Sequence, residues 1–259
     1  MSAAPVFSED LLARVEEAGL NASAPPQQRL LDGWLLRFCP GKAKRARCIN
    51  AISPGRLSVA DKLARCEQAY AEAGLPLFVR ITPFSEPSGL DASLDAAGLH
   101  RIDDTRVMVL AGELPAAEPP LPRGLRVRRV SHESFAQTVG SLRGSTLAQQ
   151  QAHAHRLIQS PVPFTPYVLD RDGEVLCCAQ TAVESDLVGL YDVLTPPQAR
   201  RQGYAGLLCR FVLAQSTTRA VAAYLQVEGD NLAARTLYRR LGFRDGYAYH
   251  YRGREPRAA

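Results

Sequence analysis

Arg200-Arg201-Gln202-Gly203-Tyr204-Ala205-Gly206 joins a β-patterned run, Leu187 to Leu194, to a helix-patterned run, Leu207 to Gln215. A glycine-containing turn that opens a helix presents unpaired backbone N–H groups and the positive end of the helix dipole. That combination suits phosphate or pyrophosphate. Gly203, Ala205 and Gly206 carry little or no side chain, so a ligand can approach the main chain closely. The spacing is neither GxxxxGKS/T nor GxGxxG followed by a ribose-binding acid, which sets aside the nucleoside-triphosphate loop and the dinucleotide fingerprint.

Outward from the turn, the pattern toward the N-terminus reads as strands at Glu174–Val183 and Pro166–Leu169, joined through the hairpin signal Arg171-Asp172-Gly173. Helices at Leu147–Ile158 and His132–Val139 and a strand at Leu125–Val130 come before them. On the other side come a helix at Tyr204–Gln215, a strand at Ala222–Val227, a helix at Leu232–Leu241 and a strand at Gly246–Tyr251. Leu110 to Pro122, rich in Pro and Ala, reads as a linker. It divides the chain into domains 1–112 and 123–259 around a linker at 113–122.

The first half opens with a helix-start signal at Ser8-Glu9-Asp10, followed by strands at Trp34–Phe38 and Arg45–Ile52. A helix at Val59–Glu72, closed by Gly74 and Pro76, leads to a strand at Leu77–Ile81. A helix at Leu90–Ala97 and a strand at Arg106–Leu110 complete it. Superposing Gly98 on Gly242, an offset of 144, sets Arg56 on Arg200 and Leu63 on Leu207. The same offset sets Phe78–Ile81 on Ala222–Leu225, so the order points to an internal duplication. Val59 then stands for Gly203 and Asp61 for Ala205. A branched side chain crowds a backbone-bound phosphate and a carboxylate repels it, so the cradle is expected in the second half alone.

Asn231, Tyr238 and Leu241-Gly242-Phe243 follow the turn. With Arg200-x-x-Gly203-x-Ala205, they make residues 125–252 similar to the GNAT superfamily of N-acetyltransferases. The first half resembles, more loosely, the degenerate N-terminal copy of its tandem members. The resemblance implies an α/β chain with a tandem acyl-CoA N-acyltransferase-like fold, mixed central sheets flanked by helices. It also implies direct transfer of acetyl from acetyl-CoA to an amine. By that resemblance, the amides of Arg201, Gln202, Gly203, Tyr204, Ala205 and Gly206, with Arg200, hold the pyrophosphate. Val193, Leu194 and Thr195 pair with the pantetheine arm, Asn231 contacts that arm, and Tyr238 is the general acid. Asn231 also reads simply as a helix cap and Tyr238 as a core tyrosine.

The positions at which family members carry a base hold Gly189, Tyr191 and Gln226. Asp192 is one residue off, and strand alternation turns it to the other face. Glu184 is the expected base, with Glu228 also near enough to weigh. The alternative is a catalytically weak CoA-binding sensor or interaction protein.

Hydrophobic residues make up 46% of the 259-residue chain and charged residues 22%, the balance of a globular protein. No apolar run reaches the roughly 18 residues of a membrane span, and the acidic N-terminus favours a cytoplasmic location. The six cysteines show neither a CxxC pair nor zinc spacing, and His153 and His155 face apart on a helix, so no metal is expected. The net charge of +5 favours an anionic co-substrate. Lys42, Lys44, Arg45 and Arg47 lack interleaved aromatics and read as a solvated turn rather than a nucleic-acid patch. The expected partner is a small-molecule or peptide amine, with the chain a monomer or homodimer.

Overall fold

A computed structural model describes residues 6–40, 43–112, 114–115, 117–216 and 220–254. The first half contains α1 (Glu9–Ala22), β1 (Gln27–Leu31), β2 (Trp34–Phe38), β3 (Ile49–Ala51), α2 (Val59–Glu72), β4 (Phe78–Ile81), α3 (Leu90–Ala96) and β5 (His100–Ala111). The second contains β6 (Leu125–Arg129), α4 (His132–Arg143), α5 (Leu147–Ile158), β7 (Phe164–Arg171), β8 (Glu174–Glu184), β9 (Leu187–Leu194), α6 (Tyr204–Ala214), β10 (Ala222–Glu228), α7 (Leu232–Arg240) and β11 (Arg244–Gly253). Contacts gather these elements into two compact units, and neither is one continuous stretch. One unit takes residues up to Ala22, Val107–Val227 and Asn231–Gly246. The other takes Ser23–Arg106, residues 228–230 and the chain from Tyr247 onward.

In the first unit the strand order is β10-β9-β8-β7-β6, with β9 and β10 parallel and the remaining neighbours antiparallel. Alternate residues of three strands turn one way: Cys177 and Ala179, Val188 and Leu190, Ala223 and Leu225. They meet Leu208, Cys209, Val212 and Leu213 of α6 in one core. Asp172 (φ 51°) and Gly173 (φ 90°) make the two-residue turn between β7 and β8, as the Asp-Gly pair demands. Leu114, within the stretch read as a linker, is buried in this core.

In the second unit the order is β1-β2-β3-β4-β11, with β3 and β4 parallel. Leu63, Cys66, Ala69 and Tyr70 of α2, with Leu90 and Leu94 of α3, cover Trp34, Leu36, Ile49 and Val79. Both halves thus contain a strand, a helix and a parallel strand in sequence, β3–α2–β4 and β9–α6–β10.

Three expectations change here. Strand β1 was not expected; Asp32 (φ 43°) and Gly33 (φ 86°) turn the chain so that Leu31 pairs with Trp34. Instead of a strand over Arg45–Ile52 there is a 3₁₀ turn, Lys44–Ala46, before the short β3. Strand β5 begins at His100, six residues before Arg106, its polar and largely exposed start giving no apolar alternation to read.

The turn before α2 carries its own anion. The Asp32 carboxylate accepts from the backbone amides of Arg56 and Leu57, each at 2.8 Å. The fully buried Lys62 ammonium lies 3.3 Å from that carboxylate and donates to the Asp32 carbonyl at 2.9 Å. The Leu57 amide first, then the Arg56 amide and Lys62, hold the Asp32 carboxyl below its ordinary value, against the opposing effect of burial.

Candidate active site

Strand β9 is broken out of its two-residue rhythm where the site begins. Cys178 of β8 pairs with Leu194 and Gln180 pairs with Tyr191, so Asp192 and Val193 together oppose the single residue Ala179. This is a β-bulge, with Asp192 in the left-handed region at φ 47°. The parallel register of β9 with β10 runs from Leu187↔Ala222 to Leu190↔Leu225 among the described residues, while β9 continues to Leu194 and β10 to Glu228. Val193, Leu194 and Thr195 are left partly exposed at the parting of the two strands. Backbone groups released by a bulge at a strand end offer a ladder to an extended ligand.

The bulge also overturns the placement expected of Asp192. Alternation sends it away from Tyr191, but the extra residue turns it to the face of Gln180, whose Nε2 donates to Asp192 Oδ2 at 2.7 Å. Arg143, in the last turn of α4, meets Oδ1 at 2.8 Å, and His153 Nε2 of α5 lies 3.5 Å from Oδ2. Local sequence sets this approach. Ser131 and Thr146 cap α4 and α5, Gly144 (φ 61°) ends α4, and a Cβ at Gly140 would lie 2.3 Å from Gln150, so glycine there lets α5 close on α4. Burial pushes the Asp192 carboxyl up, but the His153 hydrogen bond and the charges of Arg143, His153 and Arg156 outweigh it and hold the group well below the usual carboxylate range.

At the other end of β9, the chain passes a 3₁₀ turn, Pro197–Ala199, and enters the glycine loop. Arg201 (φ 60°) and Gly203 (φ 83°) adopt left-handed backbone, and Arg200 to Gly203 are exposed. Ser8, Ser58, Ser131, Thr146 and Asn231 cap α1, α2, α4, α5 and α7 with side-chain oxygens. No side chain caps α6, which starts from Gly203. Its first amides are therefore open toward a ligand, with the guanidinium of Arg171 bonded to the Tyr204 hydroxyl at 3.2 Å.

Helix α7 reaches this loop because Gly206 has no side chain: a Cβ there would lie 3.1 Å from Leu237. The next residue, Tyr238, is 7% exposed and shares the core cluster with Tyr204, Cys177 and Cys209. Its ring meets Phe243 edge-on at 6.1 Å. Burial first, then the neighbouring Cys209 and Cys177, push the Tyr238 phenol far above its ordinary value of 10.0, so its hydroxyl stays a donor. Asn231 caps α7 by accepting from Ala234 N at 3.1 Å, which leaves its NH₂ group as a donor.

The loop, the bulged strand end and Tyr238 come together; Glu184 does not join them. It pairs with Leu187 at the opposite end of β9, about 20 Å along the strand from Leu194. There its Oε1 accepts from Asn21 at 2.8 Å. At the positions where family members carry a base, Tyr191 bonds Tyr224 hydroxyl to hydroxyl at 2.8 Å, and Gln226 lies against Gly19 of α1. His155 is exposed. Lys44 bonds Asp103 at 2.7 Å, and Lys44 and Arg47 lie over the Phe78 ring, so those cations are engaged; Lys42 lies outside the described residues. Among the described residues no group of three or more His, Cys, Asp or Glu could hold a metal ion, and no helix is long and apolar enough to cross a membrane.

Sequence reasoning does not single out Arg143, and it weighs His153 only as a metal ligand, a surface residue or part of an acceptor pocket; the bulge gathers both at Asp192. The signal for it, a left-handed aspartate inside a β-patterned run, is not visible in alternation.

A family model described as "Probable histone acetyltransferase Rv0428c C-terminal" matches residues 12–252. The "Uncharacterized N-acetyltransferase YobR" of Bacillus subtilis (strain 168) is 25% identical over 239 residues, covering 87% of this chain and 91% of that protein. Among solved structures, a GCN5-related N-acetyltransferase from Kribbella flavida superposes with a TM-score of 0.70 at 19% identity, over 98% of this chain and 97% of its own. A tandem GNAT protein from the clavulanic acid biosynthesis pathway gives 0.60 at 15% identity, over 77% and 70%. The acyl-CoA N-acyltransferase-like fold expected from the sequence is the fold of these structures, one of them a tandem GNAT protein. The chain belongs to the family of that matching model, among the GNAT-type N-acetyltransferases.

Proposed function

We propose that the chain moves an acetyl group from acetyl-CoA directly to an amine nitrogen of a small molecule or peptide. The observation that carries this reading is the uncapped start of α6 beside the bulged end of β9. One offers amides to a pyrophosphate, the other offers backbone to a pantetheine arm, and Tyr238 shares a core cluster with Tyr204 and Val193. Residues 123–259 supply this machinery, while 1–112 act as scaffold, their equivalent turn being taken by Asp32.

In the transfer, the amine nitrogen attacks the thioester carbon and the C–S bond breaks. Amides freed at the bulge stabilise the carbonyl oxygen as charge develops on it. The departing sulfur takes the Tyr238 proton, and the surplus proton of the nitrogen restores the phenol. Because the phenol is held strongly protonated, its proton leaves only as it is replaced.

Calorimetry with acetyl-CoA, paired with thiol release over a panel of spermidine, a lysine peptide and an aminoglycoside, tests this reading. Gly203→Asp places a side chain at φ 83° and a carboxylate where the phosphates sit. It is expected to weaken acetyl-CoA binding roughly 10- to 100-fold. Unchanged affinity in that variant overturns the cradle. Tight binding without transfer to any amine returns the chain to the sensor alternative.

A further inference from the structure

The site described so far has an acid but no base. We propose that His153 is the proton acceptor for the incoming amine and that Asp192 is its positioning residue. The inference rests on the acetyl-transfer reading above.

Geometry carries it. Asp192 sits in the bulge immediately before Val193, where the strand end that the resemblance pairs with the pantetheine arm begins. Its carboxylate is fixed from three sides: Arg143 on Oδ1 at 2.8 Å, and Gln180 at 2.7 Å and His153 at 3.5 Å on Oδ2. A carboxylate held this way orients the imidazole through Nε2–H and leaves Nδ1 as the proton acceptor. The His153 side chain is 17% exposed, enough to meet an acceptor without being freely solvated. The other carboxylate named for the role, Glu184, is bonded to Asn21 at the far end of β9.

The chemistry is balanced within the acetyl-transfer step. An acceptor arriving as an ammonium gives one proton to His153 Nδ1, forming an imidazolium beside the Asp192 carboxylate. The freed amine lone pair then forms the C–N bond as C–S breaks, and the imidazolium later returns its proton to water. Asp192 itself stays ionised. The charged and titratable groups facing this pair are Arg143 of α4, Arg156 of α5 and Cys178 of β8, whose thiol donates to the Asp192 carbonyl at 3.8 Å.

A plain structural role, in which Asp192 merely ties α4 and α5 to β9, makes a different prediction. His153→Gln keeps a polar side chain of similar reach. It is expected to lower kcat about 100-fold with acetyl-CoA affinity unchanged, and to remove the acid limb of the kcat/KM profile. In His153→Gly, added imidazole restores a measurable part of the rate. In Asp192→Asn the carboxylate no longer orients the imidazole, so kcat falls while acetyl-CoA affinity is unchanged. Thiol release with the amine panel gives the rates, and calorimetry with acetyl-CoA shows that each variant is folded and loaded. A His153→Gln enzyme with wild-type kcat and acid limb, or a His153→Gly enzyme indifferent to imidazole, overturns the assignment while leaving acetyl transfer intact. A wild type that binds acetyl-CoA but acetylates none of the amines overturns the acetyl-transfer reading itself and this assignment with it.

Discussion

Tyr238→Phe is expected to lower kcat by roughly 10²- to 10⁴-fold while leaving acetyl-CoA affinity almost unchanged. The substitution removes one hydroxyl and keeps the ring that fills the space beside Phe243, Cys177 and Cys209. Stability is therefore held by the same apolar contacts, and the loss falls on the step in which the C–S bond breaks. The pH dependence follows from the direction of the shift. A general acid works only while protonated, and burial pushes this phenol above its ordinary value of 10.0. Its alkaline limb thus lies above that value, and no fall in rate below it belongs to Tyr238. Rapid-quench measurement of thiol release, on wild type and variant at several pH values, checks both points. Equal kcat in the two proteins removes Tyr238 from the chemistry.

Asp32→Ala is expected to be the most destabilising single change outside the core, with an unfolding midpoint several degrees below wild type. The Lys62 ammonium is fully buried, and Asp32 supplies both a carboxylate at 3.3 Å and a carbonyl at 2.9 Å. Removing the carboxylate leaves a buried cation short of its counter-charge and strands the amides of Arg56 and Leu57. The double variant Asp32→Ala/Lys62→Met recovers much of the loss, because deleting both partners harms less than deleting one. Inorganic phosphate raises the midpoint of Asp32→Ala but not of wild type, as an anion returns to the vacated amides. Acid has the same sign. The folded-state carboxyl is depressed, so its contribution is present above the ordinary value of 3.8 and is lost as the pH falls through the depressed folded value. Thermal melts across pH and phosphate test this account, which fails if Asp32→Ala melts with wild type.

Much of the fold was legible because it is locally encoded. Val59–Glu72 is closed by Ser58 at one end and Gly74 beyond the other, and its helix has those bounds. Leu187–Leu194 reads as a strand from its apolar run and is one. The glycine loop, the Asn231 cap and Tyr238 depend on short-range spacing; in the structure Asn231 caps α7, and Tyr238 shares a core cluster with Tyr204 at the start of α6. What stayed hidden depends on partners distant in sequence or on departures from regular period. The Asp32-Gly33 pair carries the same hairpin signal as Asp172-Gly173, yet β1 before it is exposed and polar and gives no alternation to read. The bulge at Asp192 reverses the face deduced from a strict two-residue period. That single extra residue brings Asp192 to His153 and Arg143.

The division of contacts along the chain has one more consequence. The unit that holds the glycine loop also takes α1 and the end of β5 from the first half. The other unit takes the end of β11 from the second half, where His250 to Gly253 pair with β4. A gene broken in the Pro-rich stretch between 112 and 123 would encode two polypeptides, each lacking a piece of its own sheet or its covering helix. Each half of the chain thus completes the other's unit.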